Sequence, residues 1–413
     1  MFLIFFLASV AQAQKQVNSP YSRFNLGTLE PAGSFKSQGM GGASIALRDK
    51  SSIFFTNPAS YSSFDTTSFI FDFGFDYSLN KIKSGTTRYQ SDDMNFDHLM
   101  FGFPVAKGFG VAAGIVPLSN GYYNITDKVL TTDVVDGYTA NHKGVGGLSN
   151  FFIGTGLRIN KNLSAGINMS VMFGEIKRSN FFEFEDYENN FHNSSSEVLR
   201  VNGINIDYGL QFMLPLRDKN FFNAGLSLTT GKNYKSGYEQ FSYRYNYYNS
   251  SDTISYTSSN SEKVYIPRTL RAGIAFGKTD KLTVAVDYIT TNWSKARIPG
   301  TSGTFGDNST LSFGAEYTPD KYSNLSGLDR IDYRLGGHTG KSYVVINGEL
   351  VRETGISAGF GLPLRRSLSK ANIFFDLTHR GGASGSSLPS EYFITVGASI
   401  NLYDIWFRQL KYD

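Results

Sequence analysis

Ser68-Phe-Ile-Phe-Asp-Phe-Gly-Phe-Asp-Tyr77 alternates almost without a break. Phe69, Phe71, Phe73, Phe75 and Tyr77 fall on one side of an extended chain, and Ser68, Asp72, Gly74, Asp76 and Ser78 on the other. A strand points successive side chains to opposite faces, so this segment has one greasy face and one wet face. The pattern returns. Leu163, Ala165, Ile167, Met169, Val171 and Phe173 alternate with Ser164, Gly166, Asn168 and Ser170. Ile204, Ile206, Tyr208, Leu210, Phe212 and Leu214 alternate with Asn205, Asp207, Gly209 and Gln211. Ile394, Val396, Ala398, Ile400 and Leu402 alternate with Thr395, Gly397, Ser399 and Asn401.

Fourteen such segments can be read, near 67–79, 94–105, 109–123, 149–160, 163–184, 196–216, 220–234, 262–277, 282–294, 309–319, 329–339, 350–364, 372–381 and 391–403. Their connections differ in length. Those at 106–108, 161–162, 217–219 and 278–281 are short; those at 80–93, 124–148, 185–195, 235–261, 295–308 and 382–390 are long and polar; 320–328 and 365–371 are intermediate. An even strand number with tight turns at one end and long loops at the other predicts an all-β fold, a 14-stranded antiparallel transmembrane β-barrel. A large soluble sandwich also alternates, but it has no reason to alternate its turn lengths. Aromatics at predicted strand ends (Tyr77, Phe103, Tyr122, Tyr123, Tyr288, Trp293, Tyr317, Tyr392) fit the girdles of a membrane interface.

Composition narrows the function. The chain of 413 residues has no cysteine, which excludes a disulfide scaffold, a thiolate metal site and a lipid anchor on cysteine. Tyr 25, Phe 35 and Gly 43 are high, and a net charge of +4 gives no argument for a nucleic-acid partner. Met1–Val10 is a short apolar run and Ala11-Gln12-Ala13 a small-x-small cleavage site, so residues 1–13 read as a signal peptide with Gln14 as the mature start. The usual basic residues before the apolar run are missing, which predicts a start a few codons upstream.

Residues 14–66 precede the first strand. They hold Pro20, Pro31, Pro58, several glycines, and apolar side chains without a period. A barrel of this size encloses more space than an eight-stranded one, whose interior side chains nearly fill it. A folded segment inside the lumen buries such residues, so 14–66 is predicted to be an N-terminal plug, 67–407 the barrel and 408–413 a periplasmic tail.

Within the plug, Gly39-Met40-Gly41-Gly42-Ala43, Ala46 and Asn57-Pro58-Ala59 resemble the N-terminal hatch of the FadL/TodX family of outer-membrane hydrophobic-compound transporters. Gly110-Val-Ala-Ala-Gly-Ile-Val-Pro117-Leu118 resembles that family's third strand. The start Ser19-Pro-Tyr-Ser-Arg-Phe24 and the tail Trp406-Phe-Arg408 resemble a divergent branch from bacteria with type IX secretion, some of whose members serve secretion or barrel-assembly complexes. The resemblance implies an outer-membrane protein with periplasmic termini and no catalysis. It implies passive uptake of small fatty-acid-like molecules through a lumen pocket and a lateral opening. The alternative is a non-transporting accessory or structural subunit.

Met40, Leu47, Ile53, Phe54 and Phe55 are the candidate ligand contacts, or plain plug packing; Gly39, Gly41, Gly42, Asn57, Pro58 and Ala59 carry the hatch motif. Pro117 lacks the N–H a ladder needs, and Gly114 and Gly121 beside it ease a bend, so this strand either opens a lateral window or ends at a rim. Phe241, Tyr243, Tyr245 and Tyr247 share one face of an extended segment, either a hairpin wall or a surface for a protein partner. Expected partners are outer-membrane lipid and a hydrophobic ligand, with no cofactor and no metal. Gly336-Gly-His-Thr-Gly-Lys-Ser342 is one residue short of a phosphate loop and reads as a hairpin tip. His98, His142, His192, His338 and His379 show no ligand spacing, and the acidic run Glu183–Glu188 reads as a solvated loop.

Overall fold

The computed structural model describes residues 18–405 apart from 132–136, 186–190, 247–250, 302–304, 324–326, 365–367 and 384. The signal peptide, Tyr247, part of the acidic run and the tail lie outside them. Fourteen antiparallel strands close on themselves. They are β1 (Ser68–Ser84), β2 (Thr87–Ala106), β3 (Phe109–Asn120, resuming as Tyr123–Val129), β4 (Tyr138–Arg158), β5 (Leu163–Phe184), β6 (His192–Pro215) and β7 (Asn220–Thr229, resuming as Lys232–Tyr245). The circle continues with β8 (Ser251–Ile266, resuming as Thr269–Lys278), β9 (Leu282–Thr291), β10 (Asn308–Tyr317), β11 (Asp332–Ile346), β12 (Glu349–Pro363), β13 (Lys370–Gly381) and β14 (Ser390–Ile405). β14 pairs with β1 from Ser390↔Lys83 to Ile405↔Ser68, which closes the wall.

The two faces sort as the period demands. On β1, Asp72, Ser78 and Asn80 are buried toward the lumen, while Tyr77 is 46% exposed outside. Phe71, Phe73 and Phe75 stack along the outer face and meet Phe96 and Phe101 of β2. Ile167, Met169, Leu210, Phe212, Ile356, Leu377, Ile400 and Leu402 extend the exposed apolar band around the barrel. Tyr77, Phe103, Tyr288, Tyr317 and Tyr392 are exposed as a girdle requires. Tyr123 and Trp293 are not: both are buried, Trp293 within an apolar cluster that the lumen holds at that mouth, and Tyr122 is half-buried.

One mouth carries tight turns and the other long hairpins. At the hairpin mouth several strands outrun their sequence boundaries: β1 and β2 run on to a tip at Gly85–Thr86, and β11 and β12 to Asn347–Gly348. There the outer face leaves the lipid, so the outward apolar period ends while the hydrogen-bond ladder continues, and on β11 and β12 Tyr343, Val344 and Val351 turn into the lumen's apolar cluster. For the same reason Gly336–Ser342 is no hairpin tip; it lies within β11, with Gly336 and Gly337 paired across to β10 and β12.

Residues 18–67 fill the bore, with short helical turns at Pro20–Arg23, Phe35–Gln38 and Pro58–Ser63. Three apolar clusters join them to the wall. One includes Ile53, Tyr61 and Phe64 with Met100 and Phe152. A second includes Met40, Ala46, Leu47 and Phe54 with Ala275 and Ala285. The third, near the hairpin mouth, gathers Tyr21 and Leu26 with lumen-facing side chains of several strands.

Candidate functional site: the plug, its seats and the seam beside it

The plug is held backbone to backbone. Gly41 turns in the left-handed region at φ +68, and its N–H donates to Ser357 Oγ at 2.9 Å. A Cβ on Gly336 would stand 2.2 Å from Gly41 N and Met40 C. A Cβ on Gly209 would stand 2.2 Å from Asn57 Oδ1. Gly156, Gly166, Gly225 and Gly314 face the plug backbone at comparable distances. The lumen-facing glycines of the strands are therefore seats: only a residue without Cβ lets the plug chain approach this closely.

Polar groups fix the same contacts. Asp287 Oδ2 accepts from the Ser44 and Ile45 N–H groups at 2.6 and 2.8 Å. Asn57 Nδ2 donates to Ile45 O at 2.8 Å and Leu210 O at 3.2 Å, while its Oδ1 accepts from Ala59 N–H at 3.2 Å and caps the 58–63 turn. Arg48 donates to Gln211 Oε1 at 2.7 Å and Ser62 Oγ at 2.9 Å. Lys36 pairs with Asp49 at 2.5 Å and Glu316 at 3.1 Å. Burial alone would push the Asp49 carboxyl up, but Lys36, Lys321 and the Ser51 N–H hold it well below the usual range.

The candidate ligand residues lie deep in this packing. Met40, Leu47, Ile53 and Phe54 are 0–4% exposed, and half-buried Phe55 stacks on Phe152 at 5.5 Å. Met40, Leu47 and Phe54 share one cluster, and Ile53 and Phe55 another.

Near the hairpin mouth the wall turns Leu148, Met172, Ile176, Leu199, Val201, Tyr234, Val264 and Val351 inward. Such a lining forms an apolar chamber, and the chain occupies it itself. Tyr21 and Leu26 enter from the plug, Trp293, Ala296 and Ile298 from the β9–β10 connection, and Tyr343 packs tilted against Trp293 with ring centres 4.6 Å apart. The Tyr343 hydroxyl donates to Gly27 O and accepts from Leu26 N–H. Sequence inspection missed this chamber because its residues sit on the polar side of each alternation, beyond the lipid band.

β3 is the irregular strand. Its ladder to β4 slips one residue between Pro117 and Ser119. Its ladder to β2 runs from Ala106↔Phe109 only as far as Leu99↔Ile115. Beyond that point β2 and β3 part, and the plug pairs with the freed edge. Thr28 faces Asn120, Leu29 faces Ser119, and Glu30 N–H donates to Leu118 O at 3.0 Å. Gly114 and Pro117 lie at the start of this seam. Gly121 continues the ladder to β4, its N–H donating to Gly146 O at 2.8 Å. The signal in the sequence was Pro117; what faces it across the seam, residues 27–30, carries no periodic mark.

On the outer wall past the lipid band, β5 to β8 form an aromatic groove. Phe241 and Tyr243 lie 5.4 Å apart, Tyr243 and Tyr245 6.0 Å, and Tyr256 approaches Phe241 at 6.2 Å. Phe181 and the hydroxyls of Ser179, Ser194 and Ser196 complete a cavity of about 330 Å³. Beneath it Arg200 bridges Glu175 and Glu239 at 2.8 and 2.7 Å.

Solved structures of known channels share this fold. The Pseudomonas putida toluene transporter TodX superposes with a TM-score of 0.60 at 12% identity, covering 92% of this chain and 100% of that one. A Pseudomonas aeruginosa FadL homologue gives 0.56 at 12%, covering 91% and 98%. The CymD monoaromatic hydrocarbon channel gives 0.54 at 15%, covering 92% and 98%. No curated protein sequence matches. At these identities the likeness is one of fold: an outer-membrane barrel of the FadL type. One family's sequence model, described as BamG, matches residues 1–413, the whole length. The chain belongs to the BamG family.

Proposed function

We propose that this protein is a self-closed barrel that works as an accessory or structural subunit of an outer-membrane complex, presenting its outer wall to a partner. The observation that carries the reading is the occupied lumen. The chamber that would take an apolar solute already holds Tyr21, Leu26, Trp293 and Ile298, each at most 7% exposed. The plug beneath it is fastened at both ends of its course. The Phe241–Tyr243–Tyr245 face offers the partner rigid aromatic area at low entropic cost. In this reading the short turns and the C-terminal end, Ile405 beside Ser68, lie on the periplasmic side, and the aromatic groove stands outside the cell. Asn18, bonded to Asn80, Ser91 and Asn124, lies toward the hairpin mouth and departs from the periplasmic N-terminus expected from the resemblance.

A second reading, passive uptake of small apolar molecules, is favoured by the seam, which sits beside an apolar chamber in the wall. Met40, Leu47, Ile53, Phe54 and Phe55 then line the path below it. Purification from native outer membranes in mild detergent, followed by native mass spectrometry, separates the two. The accessory reading expects a stoichiometric protein partner, lost on Tyr243→Ala, and no retained lipid-like ligand. A protein that is always free of partners and retains fatty acid overturns it.

A further inference from the structure

Above the lipid band the wall is interrupted beside β8. The lower part of that strand, Thr269–Lys278, has β7 on one side and β9 on the other. The upper part, Ser251–Ile266, has a ladder to β7 along one edge, from Ile266↔Lys232 to Ser251↔Tyr245. β9 ends at Thr291, and the chain after it does not climb beside β8. Arg297 bridges Tyr265 through backbone bonds of 2.8 and 3.1 Å, while Trp293, Ala296 and Ile298 around it are buried in the apolar chamber. Among the described residues, no backbone pairs with the second edge of Ser251–Val264. Ser251–Ser258 and Asn260–Lys263 are exposed, with Ile254 at 59% and Tyr256 at 64%.

Proteins keep long strand edges from pairing with other chains by charge, proline, bulges or shortness. Thr253–Ser261 holds neither a charged residue nor a proline, and Asp252 at its end is paired with Arg244 at 2.9 Å. Bulges are present, but they bracket an undisturbed run. The register to β7 shifts beside Ile254 and again at Asn260–Ser261, and between them Ser255–Ser259 pairs one to one with Ser242–Tyr238. A run of this length is ordinary for a strand. Every second residue in it directs its N–H and C=O away from β7, to the open side. Only an extended peptide carries matching groups at the same spacing. Tyr256 lines the outer groove beside Phe241, so the open edge adjoins the aromatic face.

We propose that Ser255–Ser259 is a strand-addition site: an extended, uncharged segment of a different protein joins β8 as the next strand. An aromatic or β-branched side chain of that segment lies beside Tyr256, and small or hydroxyl side chains lie beside the serines and Thr257. A second copy of this chain does not fit. Two copies in one membrane are related by a two-fold axis along its normal. Strands tilted about 35–45° then cross at about 70–90° and form no ladder. The inference deepens the accessory reading and rests on it for the existence of a partner.

A photoreactive p-benzoylphenylalanine in place of Tyr256, in the full chain in native outer membranes, reads the edge. It should give one adduct with a different protein, and the same group at Thr86, on the β1–β2 tip, should give none. Thr257→Lys blunts the edge while leaving the β7 ladder, and should lower the adduct several-fold. Thr257→Pro and Ser258→Pro remove neighbouring N–H groups that point to opposite edges, one into the β7 ladder and one to the open side. One of the two should therefore lose the adduct while the amides of 238–242 keep their exchange protection. No adduct, an adduct of two copies of this chain, or an adduct that survives the lysine and both prolines overturns the site. If Tyr243→Ala removes the co-purifying partner while all three edge variants keep it, the edge site fails and the accessory reading stands. An edge adduct on a protein that purifies without a partner and holds fatty acid does the reverse.

Discussion

Gly336→Ala tests the seats directly. The new Cβ would lie 2.2 Å from both Gly41 N and Met40 C, and neither is the end of a flexible side chain. Gly41 cannot yield by rotating, because its φ of +68 is fixed by the turn and its N–H is spent on Ser357. The plug turn must lift from β11. Overpacking of this kind costs about 1–3 kcal/mol, which is roughly a 5- to 150-fold rise in the undocked population. Hydrogen exchange of the segment 38–47, followed by mass spectrometry on the protein in lipid nanodiscs, reads that population. Protection of these amides should fall by that factor while the barrel strands keep theirs. Gly327→Ala is the control, since nothing lies within 4 Å of a Cβ there. Unchanged exchange in Gly336→Ala would show that the plug does not rest on the glycine seats.

Other outcomes follow from the same contacts. Asn57→Ala removes the acceptor of Ala59 N–H and one donor each from Leu210 O and from Ile45 O, which keeps Gln211 Nε2, and should destabilise the plug by about 1–3 kcal/mol in the same exchange assay. Asp49, held low by Lys36, contributes stability above its unfolded pKa of about 4 that is lost only as pH falls through its lower folded value; plug protection should therefore be flat through neutral pH and decline in acid. Glu30 behaves oppositely. Burial first, then the charges of Asp76, Asp97 and Glu353 against that of Arg380, raise it to about 8. Its contribution to docking of the segment around it is fully present below its unfolded value and lost as pH rises through about 8, so maleimide labelling of Leu29→Cys, divided at each pH by that of a fully exposed cysteine control to remove the thiolate effect, should increase between pH 6 and pH 9. Phe241→Ala and Tyr243→Ala should remove the partner without changing the barrel's thermal midpoint, because both rings stand on the outer wall.

The barrel was legible because its cause is local. Lipid outside and polar groups inside impose a period of two on every strand, and Phe69–Tyr77 shows it undiluted. Closure and strand number descend from that pattern. Gly39–Gly42 and Asn57–Ala59 stood out in the sequence only through a resemblance; in the structure Gly41 sits on Gly336, and Asn57 reaches Leu210 from the turn it caps. What the sequence hid is what depends on distance along the chain. Glycines such as Gly156 and Gly336 read as unremarkable inward positions, because their plug partners lie far away in sequence. Thr28–Leu29 is too short to carry a period. Tyr123 and Trp293 looked like girdle aromatics because a strand end does not reveal which way its side chains turn once both faces leave the lipid.

Ion conductance of the purified protein in planar bilayers tests the occupied lumen most directly. A bore filled from Asn18 to Thr67 and a wall sealed at Leu118–Asn124 predict a silent record, with open steps appearing when residues 18–66 are deleted. Steady, long-lived open channels from the intact protein would contradict the account.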